Sequence, residues 1–339
     1  MLYYLKYMYI FPYSNISTIR THRARRRITL LAAAFVIASP AGAQWRFTAP
    51  DAAGAWFAAL DTVRLEGAGA LSFHRSAGRS TLPLAATLRA DSRYDILLFA
   101  PLYFPSGSRI AFLEAVRSAA TSEAATSPRA RFLIAALRQA LPDLHARASL
   151  ASLADLAEAA RVVHVPAEQV DRWQSQWNAR FAAALAPYLA AEHLDGGMVM
   201  VADALGPEGR LFAGVPDDRR DNVVAVGTPL AADDIDGPLY ALVRELCFPL
   251  VTRAANASPD FGRDARVAAQ RTSVAAVRCG ADLLDRLLPV EAPAYRMHWQ
   301  RAASAARSGT PTGFDLLFPP DPVLAPRLRT AIMRIARSP

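Results

Sequence analysis

The chain changes hydrophobic period once and then changes back, and this limits its fold more than any other feature. From Asp51 to Ala191 apolar residues recur every three or four positions, the spacing that gives a helix one apolar face. In the clearest case, Pro166 to Ala191, residues Val170, Trp173, Trp177, Phe181, Leu185 and Leu189 fall on one stripe. Three short runs come next, GGMVMVADAL, GRLFAGVP and DNVVAVGTPL, separated by Gly206-Pro207-Glu208-Gly209 and by Asp217 to Asp221. Short apolar or alternating runs between turn residues read as strands, here as an antiparallel meander. Helical spacing returns after Asp236-Gly237-Pro238, a start signal for a helix over Leu239 to Ala255. Further helices are expected at Arg263 to Leu288, Ala292 to Arg307 and Pro322 to Arg337. The expectation is an α+β fold, mostly helical, with a small antiparallel sheet packed on long helices.

The first half adds expected helices at Asp51 to Arg64, Arg109 to Ala120, Arg129 to Leu141 and Ser149 to Ala160. The buried run RYDILLFAPLYF is also read as helical. No period of 20 to 50 residues repeats, so a solenoid is excluded. Residues 44–339 are read as a single domain, with a helical part over 44–195 and the sheet-bearing part over 196–339.

The formal charge of +8 would point to a polyanionic partner if it were spread over the chain. It is not, because Lys6, Arg20, Arg23, Arg25, Arg26 and Arg27 lie in residues 1–43, which hold no Asp or Glu. The basic cluster precedes an apolar run, Ile28 to Ala38, then Pro40 and the small residues Ala41-Gly42-Ala43. That order reads as a secretory signal peptide cleaved near Ala43-Gln44, with a periplasmic or secreted product. The apolar run is shorter than the roughly 20 residues a membrane span needs. Residues 1–19, rich in Tyr and nearly uncharged, read as an extension that an upstream, mis-assigned start codon would explain. Beyond the leader the chain is nearly charge-balanced, with no basic patch interleaved with aromatics for nucleic acid and no segment able to span a membrane.

An exported chain with two cysteines, Cys247 and Cys279, has a disulfide candidate, two buried free thiols being the alternative. Both lie in helical patterns, and the bridge would staple two packed helices.

Residues 197–288 hold the one arrangement that points to a particular chemistry. The strand DNVVAVGTP leads into GPLYALVRELCFPLV, and a second long helix comes after it. In Arg244-Glu245-Leu246-Cys247-Phe248 the first and fifth positions share a helix face. Two imidazoles at that spacing would bind zinc, and the carboxylate beside the first would act as base for the metal-bound water. In place and spacing this segment resembles the HExxH helix of gluzincin-type zinc metallopeptidases, and especially exported bacterial proteins that carry HEFxH there. The resemblance implies a zincin-like C-terminal half, an edge strand beside the substrate, and a third acidic ligand on the later helix, for which Asp282 is the candidate. The motif has nevertheless departed from zinc chemistry. A guanidinium at 244 and a benzene ring at 248 cannot ligate the metal, so Glu245 has no metal-bound water to act on. A non-catalytic protein with no metal or cofactor is therefore expected, keeping a peptide or partner groove beside DNVVAVGTP by β-augmentation.

Glu245 in an apolar helix needs a partner, and Arg244, Arg253 and Arg278 are the candidates. The competing expectation is an active hydrolase that uses Glu245 as general base with Asp282 or His298. His298 draws notice because Tyr295 and Trp299 flank it on helical spacing. Pro249 cannot donate to the Glu245 carbonyl and should kink the helix. A third expectation, a periplasmic small-ligand module, would need a pocket lined by Trp173, Trp177 or Trp299. The acidic turn ADDIDG lacks the first and twelfth ligands of a calcium loop, and Asp234 or Asp236 reads instead as a helix cap. No nucleophile elbow, Ser-x-x-Lys pair or phosphate-binding glycine loop is present.

Overall fold

The computed structural model describes residues 44–63, 94–105, 107–121, 128–141, 144–207, 209–213, 222–229, 231, 233–258, 261, 264–305 and 313–337. The expected leader lies outside these residues. The chain is mostly helical with one small mixed sheet, an α+β arrangement.

The sheet has four strands: β1 (Gln44–Thr48), β2 (Gly196–Val201), β3 (Gly209–Phe212) and β4 (Val223–Val226), in the order β1-β2-β4-β3. β1 pairs parallel with β2 and β2 parallel with β4, while β3 alone runs antiparallel at the edge. The expected antiparallel meander is therefore corrected, since β4 returns between β2 and β3 instead of beside β3 on the far side. The side chains explain the placement. All four residues of β4 are buried, as are the last three of β2, so both strands need cover on both faces. β3 carries Arg210 and is half-buried, which suits an edge.

Alternation along the strands feeds two cores. Trp45, Phe47, Val199, Val201, Val224 and Val226 face one side, while Met200, Val223 and Ala225 face the other. The second side is covered by α1 (Asp51–Val63), α2 (Arg109–Ala120), α3 (Pro128–Ala140), α4 (Leu144–Ala159) and a 3-10 helix, Tyr94–Tyr103, in the run read as helical. There Trp56 donates to the Leu97 carbonyl at 2.7 Å and meets Phe112 edge-on at 5.3 Å.

The first side is covered by one continuous helical rod made of α5 (Ala167–Gln176), a π-turn (Trp177–Ala182) and α6 (Ala183–Ala191), together with the later described α-helices. Those are α7 (Gly237–Asn256), α8 (Ala265–Leu287), α9 (Ala292–Ala305), the short α10 (Phe314–Leu317) and α11 (Leu324–Ile335). The rod packs with the C-terminal helices and β1 pairs with β2, so the layers do not divide at residue 195.

Both sheet edges are managed. On β1, the Gln174 amide accepts from Phe47 N–H at 2.9 Å and donates to the Trp45 carbonyl at 2.8 Å. These are the two bonds that a residue of a further parallel strand would make opposite Arg46. On the other edge, Ala202 N–H donates to Val226 O and Met198 N–H to Asn222 O, which turns the even-numbered groups of β4 toward β2. Antiparallel pairing then leaves Gly209 and Leu211 facing outward, and Arg210 Nη1 covers the Gly209 carbonyl at 2.6 Å. The expected β-augmentation groove beside DNVVAVGTP is thus corrected, because β4 already has a strand on each side.

Candidate functional site

Helix α7 carries the segment Arg244-Glu245-Leu246-Cys247-Phe248 and continues unbroken through Pro249. The structure puts Arg244 and Glu245 in the core, each only 1% exposed. Arg244 Nη1 donates to Glu245 Oε1 at 2.5 Å and Nη2 to the Ser273 hydroxyl on α8 at 3.2 Å. The guanidinium also lies over the Phe248 ring at 4.9 Å and the Trp299 ring at 5.4 Å, measured to the centroids. The motif residues are therefore brought together, but to neutralise one another rather than to hold a metal. Of the three candidate partners, Arg244 is the one that serves Glu245. Arg253 pairs with Glu192 and Arg278 with Asp315.

The space in front of Glu245 is filled by β3. A methyl group on Gly209 would lie 2.4 Å from Glu245 Cγ and 2.9 Å from the Ala225 carbonyl, so the strand backbone rests directly on the carboxylate stem. Only glycine permits this approach. A buried pair of this kind contributes little net stability, but loss of one member leaves a charge uncompensated and costs about 3–5 kcal/mol.

The other expected site residues lie elsewhere. Asp282 is on the face of α8 toward α11, where its nearest cation is Arg329 at 3.8 Å. Burial pushes its carboxyl above the usual range, against the pull of Arg278 and Arg329. The expected disulfide is also corrected, because Cys247 and Cys279 are free, buried thiols. Hydrogen bonding to Cys247, and then burial, hold the Cys279 thiol well above its ordinary value, which keeps it protonated.

His298 belongs to a polar cluster that anchors the start of α7. Its Nδ1 lies 2.8 and 3.0 Å from the two oxygens of Asp234. The pair is buried and ties α9 to the turn before α7. His298 Nε2 has no hydrogen-bond partner among the described residues, so no nucleophile completes a triad. Asp236 holds the N-cap position, but its carboxylate goes to Arg180 Nη1 at 2.6 Å instead of capping the helix. Pro238 in the first turn has no N–H to be capped. Arg180, on the π-turn, also pairs with Glu291, which accepts from the Tyr240 hydroxyl at 3.1 Å. Burial pushes the Tyr240 phenol up, with Glu291 and Asp236 adding to the shift. The sequence signal for this cluster was the pair of acids flanking a helix start. Of their partners, 56 and 64 residues away, Arg180 carried none, and His298 stood out for its aromatic neighbours rather than for Asp234.

Trp173, Trp177 and Trp299 are fully buried core residues, not pocket walls. Trp173 donates to the Ile235 carbonyl at 2.8 Å, and Trp177 stacks on Phe181 at 5.6 Å. A cleft of about 90 Å³ opens at the carboxyl ends of β1 and β2, lined by Asp51, Arg161, His164 and Asp203 among small apolar residues. Comparison with family models, curated proteins and solved structures finds no match. Among the described residues, no group of three or more His, Cys, Asp or Glu could hold a metal ion, and no helix is long and apolar enough to cross a membrane.

Proposed function

We propose that this is an exported, non-catalytic protein with a metallopeptidase-like C-terminal half, whose former zinc helix now serves as a core brace. The observation that carries the proposal is the Arg244–Glu245 pair, sealed between Phe248, Trp299, Ser273 and the backbone of β3. Two further observations support it. The edge strand that lies against the helix at Glu245 is β3 rather than the expected DNVVAVGTP strand, and its backbone occupies the space a substrate would need there. Where a third ligand would approach, α8 offers the Ser273 hydroxyl to Arg244, while Asp282 turns toward α11. A carboxylate that is 1% exposed and hydrogen-bonded to a fixed cation has no route to a substrate or to water. On this account the protein acts through its surface. Metal analysis of the purified protein should find well under one zinc per chain after dialysis, and one tightly held zinc per chain would overturn the proposal.

A further inference from the structure

Helix α11 ends the described chain with a strongly one-sided surface. Leu324, Leu328 and Ile332 are buried against the core, and the opposite face is exposed. At about 100° per residue, Arg327 and Arg334 stack within ~20° of one another and Arg337 lies about 60° from Arg334, while Arg329 sits on the far side of the exposed face. From Pro322 to Arg337 there are four arginines and no acidic residue. Arg329 pairs with Asp282 at 3.8 Å, and its side chain is still 57% exposed. Met333, 44% exposed, sits among the arginines.

The face is convex and built on a helix anchored by its other side, so Arg327, Arg334 and Arg337 lie on one outward arc rather than around a pocket. Guanidinium groups on such an arc match phosphodiester anions, which they can bind through paired N–H donors. No aromatic residue occurs from Pro319 to Pro339, so there is no platform for stacking bases. An exposed methionine among arginines suits the boundary between headgroups and acyl chains. We propose that α11 docks the protein on a bilayer surface rich in anionic phospholipid. This goes beyond the non-catalytic reading and does not depend on it.

The test is co-sedimentation of the full-length protein with vesicles of phosphatidylglycerol and phosphatidylcholine, beside vesicles of phosphatidylcholine alone. Wild type is compared with the triple variant Arg327→Ser, Arg334→Ser and Arg337→Ser, and with the same three positions changed to Lys. With each basic residue near an anionic surface worth about fivefold, the Ser variant should partition about a hundredfold less onto anionic vesicles. The Lys variant should retain most of the binding, and salt at about 0.5 M should abolish it. Thermal unfolding of all three proteins at one midpoint shows that the fold is intact, as exposed positions should allow. Equal binding of wild type and Ser variant to anionic vesicles would overturn the proposal. So would a preference for a DNA duplex over the vesicles that is lost in the Ser variant.

Discussion

At the scale of single residues, position 245 decides what this helix can do, and its neighbours decide position 245. Glu245 keeps the residue type of a general base but is closed off by a cation on its own helix and a glycine on the edge strand. Gly209→Ala tests the closure. The added methyl must displace Glu245 or the strand, and overpacking of this kind costs about 1–3 kcal/mol. Urea unfolding should show that loss, and an unchanged midpoint would mean that β3 does not rest on the carboxylate. Asp282 gives a second test, in pH. Burial raises its carboxyl in the folded state, so the folded protein prefers the protonated form. Its ionisation therefore opposes folding above the carboxylate range, and this penalty fades as pH falls. Asp282→Asn should be no less stable than wild type at neutral pH, and the gap should narrow in acid. A stability loss at neutral pH would show instead that the Arg329 pair matters.

At the scale of elements, the β1 edge of the sheet is closed by a side chain rather than by a further strand, and on β3 Arg210 covers the Gly209 carbonyl. Gln174 stands in for a peptide group beside β1 and joins the rod to the sheet. Gln174→Leu leaves the Phe47 N–H and the Trp45 carbonyl without those bonds, at a cost of about 1–3 kcal/mol. Gln174→Glu keeps the acceptor and loses the donor, so its unfolding midpoint should fall between the two. No change in either variant would contradict the edge-closing role. The helices were the legible elements, and Arg109–Ala120 and Ala292–Ala305 begin where the apolar spacing begins. The sheet was legible as three short runs but not in its order. Period 2 reports which faces are buried, and it does not report which strand lies next to which. β1 is five residues long and directly adjoins the expected leader, so its alternation was too brief to register.

At the scale of the whole molecule, a small mixed sheet holds two helical layers apart, and the segment Arg244 to Phe248 lies within the larger layer. The spacing of Arg244, Glu245 and Phe248 was visible in the sequence, as was the impossibility of zinc at 244 and 248. The filling of the cleft was not, because it depends on Ser273, Trp299 and Gly209 arriving from three other elements. The Asp234–His298 pair was hidden for the same reason. A core brace and a catalytic remnant predict different energetics. The direct test is a double-mutant cycle in urea with Arg244→Met, Glu245→Leu and the two together. Each single change strands a buried charge and should cost about 3–5 kcal/mol, while the double variant, apolar and of similar volume, should lie closer to wild type than either single. Two single changes that each cost under about 0.5 kcal/mol and simply add would contradict the buried pair, and with it the reading of this helix as a brace.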